Sequence, residues 1–106
     1  MKISIIHTSK NPDKAVSIYQ KLLNYCDDDF DNYEYILSAG VPTMVLNRGY
    51  ARFFAPTKAI ITLNMGDLEI NEEIRWAKEM AIGDTFLIIN DNSKIEKHWD
   101  THLKHK

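Results

Sequence analysis

Residues 85–100 read TFLIINDNSKIEKHWD. Phe86 to Ile89 are an unbroken apolar run, and the run stops abruptly at Asn90-Asp91-Asn92. A short apolar stretch without polar alternation is the pattern of a strand buried on both faces, as parallel sheets require. The amide and carboxylate side chains at its exit have two readings. Asn and Asp favour turns, because their side chains bond the nearby backbone. They are also hard oxygen donors of the kind that Mg2+ or Mn2+ takes alongside substrate phosphates. Local composition favours the turn and leaves the metal seat open.

The chain on either side fits the same sheet. Upstream, INEEIRWAKEMA (70–81) spaces Ile70, Ile74, Ala77 and Ala81 as the inner stripe of a helix that Gly83 ends. Trp76 is read as a packing anchor on it, as is Trp99 on a last helix around WDTHLKH (99–105). AIITLN (59–64) and YEYILSAG (33–40) are further strands, the second leaving through Ser38 and Gly40. Near the start, Ile3 to Ile6 form a first strand that runs into the polar loop HTSKN (7–11). Asn11-Pro12-Asp13 then opens a helix with Ala15, Ile18, Tyr19, Leu22 and Leu23 on one face. Residues 41–56, VPTMVLNRGYARFFAP, allow a short helix over Tyr50–Phe54 between Gly49 and Pro56, or an irregular excursion that folds over a site as a lid. CDDDFDN (26–32) lacks the alternating ligands and central glycine of a calcium loop and reads as a solvated connection.

Strands alternating with amphipathic helices predict an α/β fold with a mainly parallel four-stranded sheet covered on both faces, a Rossmann-like three-layer domain spanning residues 1–106. Such sheets bind ligands beyond the carboxyl ends of their strands. That rule places His7 to Asn11, Ser38 to Gly40, Asn64 and Asn90 to Asn92 on one edge. In the first loop, Thr8, Ser9 and Asn11 offer oxygens beside a helix N-terminus, which suits an anion or a nucleotide, while Ser9 and Asn11 serve equally as helix caps. The glycines of a phosphate loop or dinucleotide fingerprint are missing.

Composition narrows the classes. The net charge of −2 argues against a nucleic-acid or membrane-surface binder. A lone cysteine, Cys26, rules out an internal disulfide. His98 and His102 share a helix face, but neither these nor His105 comes with a third zinc ligand in sequence. No apolar segment approaches the roughly 20 residues of a membrane span, and MKISIIHTS reads as a strand, not a signal peptide, so the cytoplasm is the expected location. Asp67 and Asp84 each stand beside a glycine in turn-like surroundings, and no Ser-His-Asp spacing is present.

The segments ISIIHTSKNPDKAVSIYQKLL, NYEYILSAG and AKEMAIGDTFLIINDN, in that order, resemble the nucleotide-binding half of a family 2 glycosyltransferase with the GT-A fold, the nucleotide-diphospho-sugar transferase type. KHWD (97–100) is similar to a tryptophan-aspartate pair that follows the metal motif in some bacterial and phage relatives. The resemblance implies a nucleotide or nucleotide-sugar as ligand, with Mn2+ or Mg2+ held mainly by Asp91 and more weakly by Asn90 and Asn92. It implies that Thr8 and Ser9 line the base and ribose pocket and that Ser38 lies near the base. Sugar transfer would then follow by attack of a deprotonated acceptor hydroxyl. The sequence departs from the family where Ser38-Ala39-Gly40 replaces the base-holding acid, and where the metal motif keeps a single carboxylate. No residue is nominated as general base, so a partner chain or a second copy would complete a transferase site. Two rivals stand beside this reading: a degenerate relative acting through protein contacts, and another nucleotide-processing fold in which Glu72 or Glu73 is the working carboxylate.

Overall fold

The computed structural model describes residues 2–40, 44–64 and 69–104; the side chains of residues 44–47, 63 and 64 are outside that description, as are Asp67 and His105. The elements run β1 (Ile3–Ser9), α1 (Pro12–Tyr25), a 3-10 turn (Phe30–Asn32), β2 (Glu34–Gly40), α2 (Met44–Phe54), β3 (Ile60–Asn64), α3 (Ile70–Met80), β4 (Thr85–Asn90) and α4 (Trp99–Lys104). The four strands form one sheet in the order β3-β2-β1-β4. All three neighbouring pairs are parallel, so the sheet is wholly and not mainly parallel, with Rossmann-like topology.

Strand alternation divides β1 between two faces. Ile3, Ile5 and His7 point towards α1, where the main core gathers Ala15, Ile18, Tyr19, Leu22, Tyr35, Leu37, Tyr50 and Trp99. Ser4, Ile6 and Thr8 point the other way, under α3, where the second core is only Ile6, Ile36 and Ala77 with Ala81 against them. Of the expected inner stripe of α3, Ala77 and Ala81 do face this core, and the correction falls on its first residue. Ile70 is half exposed, and the residues that α3 buries are Glu73 and Ala77. One helix lying over β1 and β2 also leaves β4 open on that side, so Phe86 and Ile88 stay partly exposed.

The least legible segment turns out to be an ordinary crossover helix. α2 runs from Met44, through Gly49, to Phe54, and buries Tyr50 and Phe54 in the main core, so residues 44–54 are not a lid. Gly49 interrupts nothing because it is where α2 meets α1: a Cβ there would come 3.1 Å from Pro12 Cβ. Residues 41–43 fall outside the described chain. Of the two tryptophans only Trp99 anchors, buried with its indole N–H donating to Leu22 O at 3.0 Å; Trp76 is 59% exposed.

The C-terminal helix is clasped to the acidic turn. Asp100, 1% exposed, accepts from the backbone N–H groups of Asp27 and Asp28 and from the Tyr33 hydroxyl. Asp27 in turn binds His98 Nδ1 at 2.6 Å and the Thr101 hydroxyl, and Lys104 pairs with Asp28 at 3.1 Å. CDDDFDN is thus a connection whose acidic side chains stay exposed, as expected, and it is also the socket of α4. The Trp99-Asp100 pair serves this joint.

Candidate functional site at the carboxyl edge of the sheet

Strand order reverses between β1 and β4: the chain steps outward from β1 through β2 to β3, then returns to the opposite side of β1. Loops leaving the carboxyl ends of these two strands diverge, which opens a crevice between them. Here that crevice measures about 320 Å3 and is lined by Thr8 to Asn11 and Lys14 from the first loop and helix, Asn90 to Asn92 from the end of β4, and Ile70 and Glu73 from α3.

Asp91 is its most constrained member. One carboxylate oxygen accepts from His7 Nε2 at 2.9 Å, and the other from the backbone N–H groups of Lys10 at 2.9 Å and Asn11 at 3.0 Å. His7 is fully buried, and its other nitrogen meets the Tyr35 hydroxyl at 2.7 Å. Burial pushes the Tyr35 phenol well above its ordinary pKa, so it keeps its proton, while the Asp91 carboxylate can only accept and so takes its bond from Nε2–H. Burial also opposes ionisation of Asp91, but the bonds from the His7 ring and the Lys10 backbone outweigh it and hold the carboxyl below its usual range. The resulting chain of bonds, Tyr35 to His7 to Asp91, ties β2, β1 and the exit of β4 together. It activates no nucleophile, because the atom beyond His7 is a phenol on a 3% exposed residue.

The neighbours of Asp91 are engaged in the turn itself. The Asn90 side-chain oxygen accepts from Asn92 N at 2.8 Å, Asn90 N donates to the Ser93 hydroxyl at 2.9 Å, and Lys14 Nζ reaches the Asn92 oxygen at 3.4 Å. Each oxygen expected to hold a divalent ion thus faces N–H or ammonium donors, groups that repel a cation. Among the described residues no three of His, Cys, Asp and Glu converge as a metal cluster. As placed, the triplet fits a turn and does not fit Mn2+ or Mg2+.

The first-loop oxygens divide in the same way. Asn11 caps α1, its side-chain oxygen accepting from the N–H groups of Asp13 at 3.0 Å and Lys14 at 3.2 Å. The Ser9 hydroxyl donates to Asn11 O at 3.3 Å and therefore accepts from Tyr50, whose phenol burial raises to about 12. Thr8 lines the crevice and lies opposite Ser38 in the β1–β2 ladder; Ser38 is buried and outside the lining. Lys14 is a lining group that sequence reasoning passed over, and Glu73, named there only as the working carboxylate of a rival fold, was not placed at this edge. Glu73 is 1% exposed, with Lys10 Nζ 3.7 Å from one of its oxygens, whereas Glu72 is exposed. The available signal was position: Glu73 falls on the same helix face as Ala77, four residues on.

The crevice thus combines two ammonium groups, the Thr8 and Ser9 hydroxyls, amides and two acidic side chains. No family model matches this chain, and no curated protein or solved structure matches it at significance.

Proposed function

We propose that the chain is a glycosyltransferase-like domain that takes a nucleotide, or the nucleotide end of a nucleotide-sugar, into the crevice between the exits of β1 and β4. One observation carries this reading: the point where strand order reverses coincides with side chains of mixed polarity drawn from three separate segments. The volume of about 320 Å3 sits at the lower end of small-ligand sites, which suits a nucleoside phosphate better than a whole nucleotide-sugar. Lys10 and Lys14 supply the charge that a phosphate needs, so no divalent ion is required for binding. Thr8 and the amides of Asn90 and Asn92 are partners for hydroxyl groups. Transfer of the sugar calls for an acceptor site and a base from a partner chain or a second copy.

Calorimetry with UDP, GDP and their sugars, each with and without Mn2+, tests the reading. Binding that survives chelation and weakens about tenfold or more in the Lys10→Ala/Lys14→Ala double variant supports it, as charge-assisted bonds of this kind contribute roughly 1.5–3 kcal/mol each. Failure of all these ligands to bind overturns it. The second reading, a scaffold acting through protein contacts, draws on the open side of β4, where Phe86 and Ile88 stand partly exposed on an edge strand.

A further inference from the structure

β4 has the composition of an interior strand and stands at the edge of the sheet. Its sequence, TFLIIN, holds four consecutive apolar residues, the pattern of a strand covered on both faces and flanked on both sides. In the order β3-β2-β1-β4 it pairs with β1 alone. Soluble proteins guard such edges with charge or proline, and β4 contains neither.

The backbone of this edge is open. Thr85 N donates to Lys2 O, on the β1 side, at 3.2 Å, so by alternation Leu87 and Ile89 also turn their backbone groups inwards while Phe86 and Ile88 turn theirs out. Among the described residues no bond from outside the sheet reaches either of these two. The side chains are open as well. Phe86 is 38% and Ile88 43% exposed on the α3 side, with Lys78 Nζ 5.6 Å from the Phe86 ring centre. On the other side a groove of about 300 Å3 separates β4 from α4, with Leu87, Ile89, Ile95 and Leu103 in its lining.

The strand is also its own complement. Two copies set antiparallel about an axis at Leu87 bring Phe86 of each opposite Ile88 of the other. These are the residues whose N–H and C=O groups face out, as a hydrogen-bonded antiparallel pair requires. The same arrangement carries Asp84, which precedes the strand, to the end of the partner strand beyond which Lys94 follows; parallel pairing would bring like ends together. With side chains on both faces contributing, the contact buries on the order of 1,000 Å2 in total, the lower limit for a specific interface.

We propose that β4 is a docking edge for a second copy of this chain, joining two four-stranded sheets into one across a two-fold axis at Leu87. The pairing is independent of what the crevice binds.

Sedimentation equilibrium of the full chain from about 10 μM to about 1 mM should show monomers in exchange with dimers, because an interface of this size need not be tight. Ile88→Lys sets a charge against the partner strand and should weaken dimerisation about tenfold or more. Ile60→Lys, at a position 36% exposed on the opposite edge strand, should leave it unchanged. Far-UV circular dichroism checks that both variants stay folded. Hydrogen exchange on the wild type reads the backbone pairing directly: the Phe86 and Ile88 amides should gain protection as concentration rises. A chain that stays monomeric throughout, as it would if the edge awaited a different protein, overturns the proposal. So does an Ile88→Lys variant that dimerises like wild type, an equal loss in Ile60→Lys, or a dimer in which those two amides exchange as freely as in the monomer.

Discussion

Replacing Asp100 with asparagine tests the account of the C-terminal clasp. The carboxylate is almost fully buried and accepts from Asp27 N at 2.9 Å, Asp28 N at 3.0 Å and the Tyr33 hydroxyl at 2.5 Å. Burial alone would raise its pKa; the Tyr33 hydroxyl and the two backbone donors reverse this and bring it from 3.8 to about 2. At 1.36 kcal/mol per unit that gap corresponds to about 2 kcal/mol of stability at neutral pH. Because the folded value is the lower one, the contribution is complete above the unfolded pKa and fades as pH falls towards 2, with about half gone by pH 3. Asparagine keeps the shape but loses the charge and turns an N–H2 towards a donor. The expected loss at pH 7 is about 3 kcal/mol, from weakened charge-assisted bonds and one buried donor left unmet. For a domain of this size that is a fall in Tm of roughly 12–20 °C. Urea unfolding at pH 7, 5 and 3 reads both effects: a wide gap between wild type and Asp100→Asn at pH 7 and 5, narrowed by about 1 kcal/mol at pH 3. A variant within 0.5 kcal/mol of wild type, or a gap that does not change with pH, would refute the reasoning.

Gly83→Ala should destabilise by about 2–3 kcal/mol, since the new Cβ would lie 2.2 Å from Ser4 Oγ and 2.8 Å from Lys2 O, and the strand cannot retreat without breaking the β1–β4 ladder; thermal unfolding measures it. The tryptophans should part company: Trp99→Ala costs about 3–5 kcal/mol as a core truncation, whereas Trp76→Ala stays within about 0.5 kcal/mol. His7→Phe fills the same space but strands Asp91 and Tyr35 without their shared partner, so chemical denaturation should show a loss of about 2–4 kcal/mol.

Much of the order of elements was legible because it rests on local signals. Asn11-Pro12-Asp13 announced α1, the spacing of Ala15, Ile18, Tyr19 and Leu22 gave its buried face, and the apolar runs of β1 and β4 marked strands of a parallel sheet. Since parallel strands share a direction, their exits had to share an edge, and the crevice followed from that. What local signals could not weigh was contact between distant segments. Gly49 looked like a break and is instead the point where α2 closes on Pro12. Leu23 and Ile70 carried the right spacing but sit beyond the reach of the layer that would cover them.

The candidate site divides along the same line. Residue types and the sheet direction together established that oxygen-bearing side chains would gather at the strand exits. Whether an oxygen meets a cation or an N–H depends on angstrom-scale placement of chains eighty residues apart. Asp91 is committed to His7, Lys10 and Asn11 only once β1 and β4 lie side by side. The burial of Glu73 depends likewise on α3 settling across β1. Side-chain identity is written in the chain; the partner that satisfies each polar group is chosen by packing.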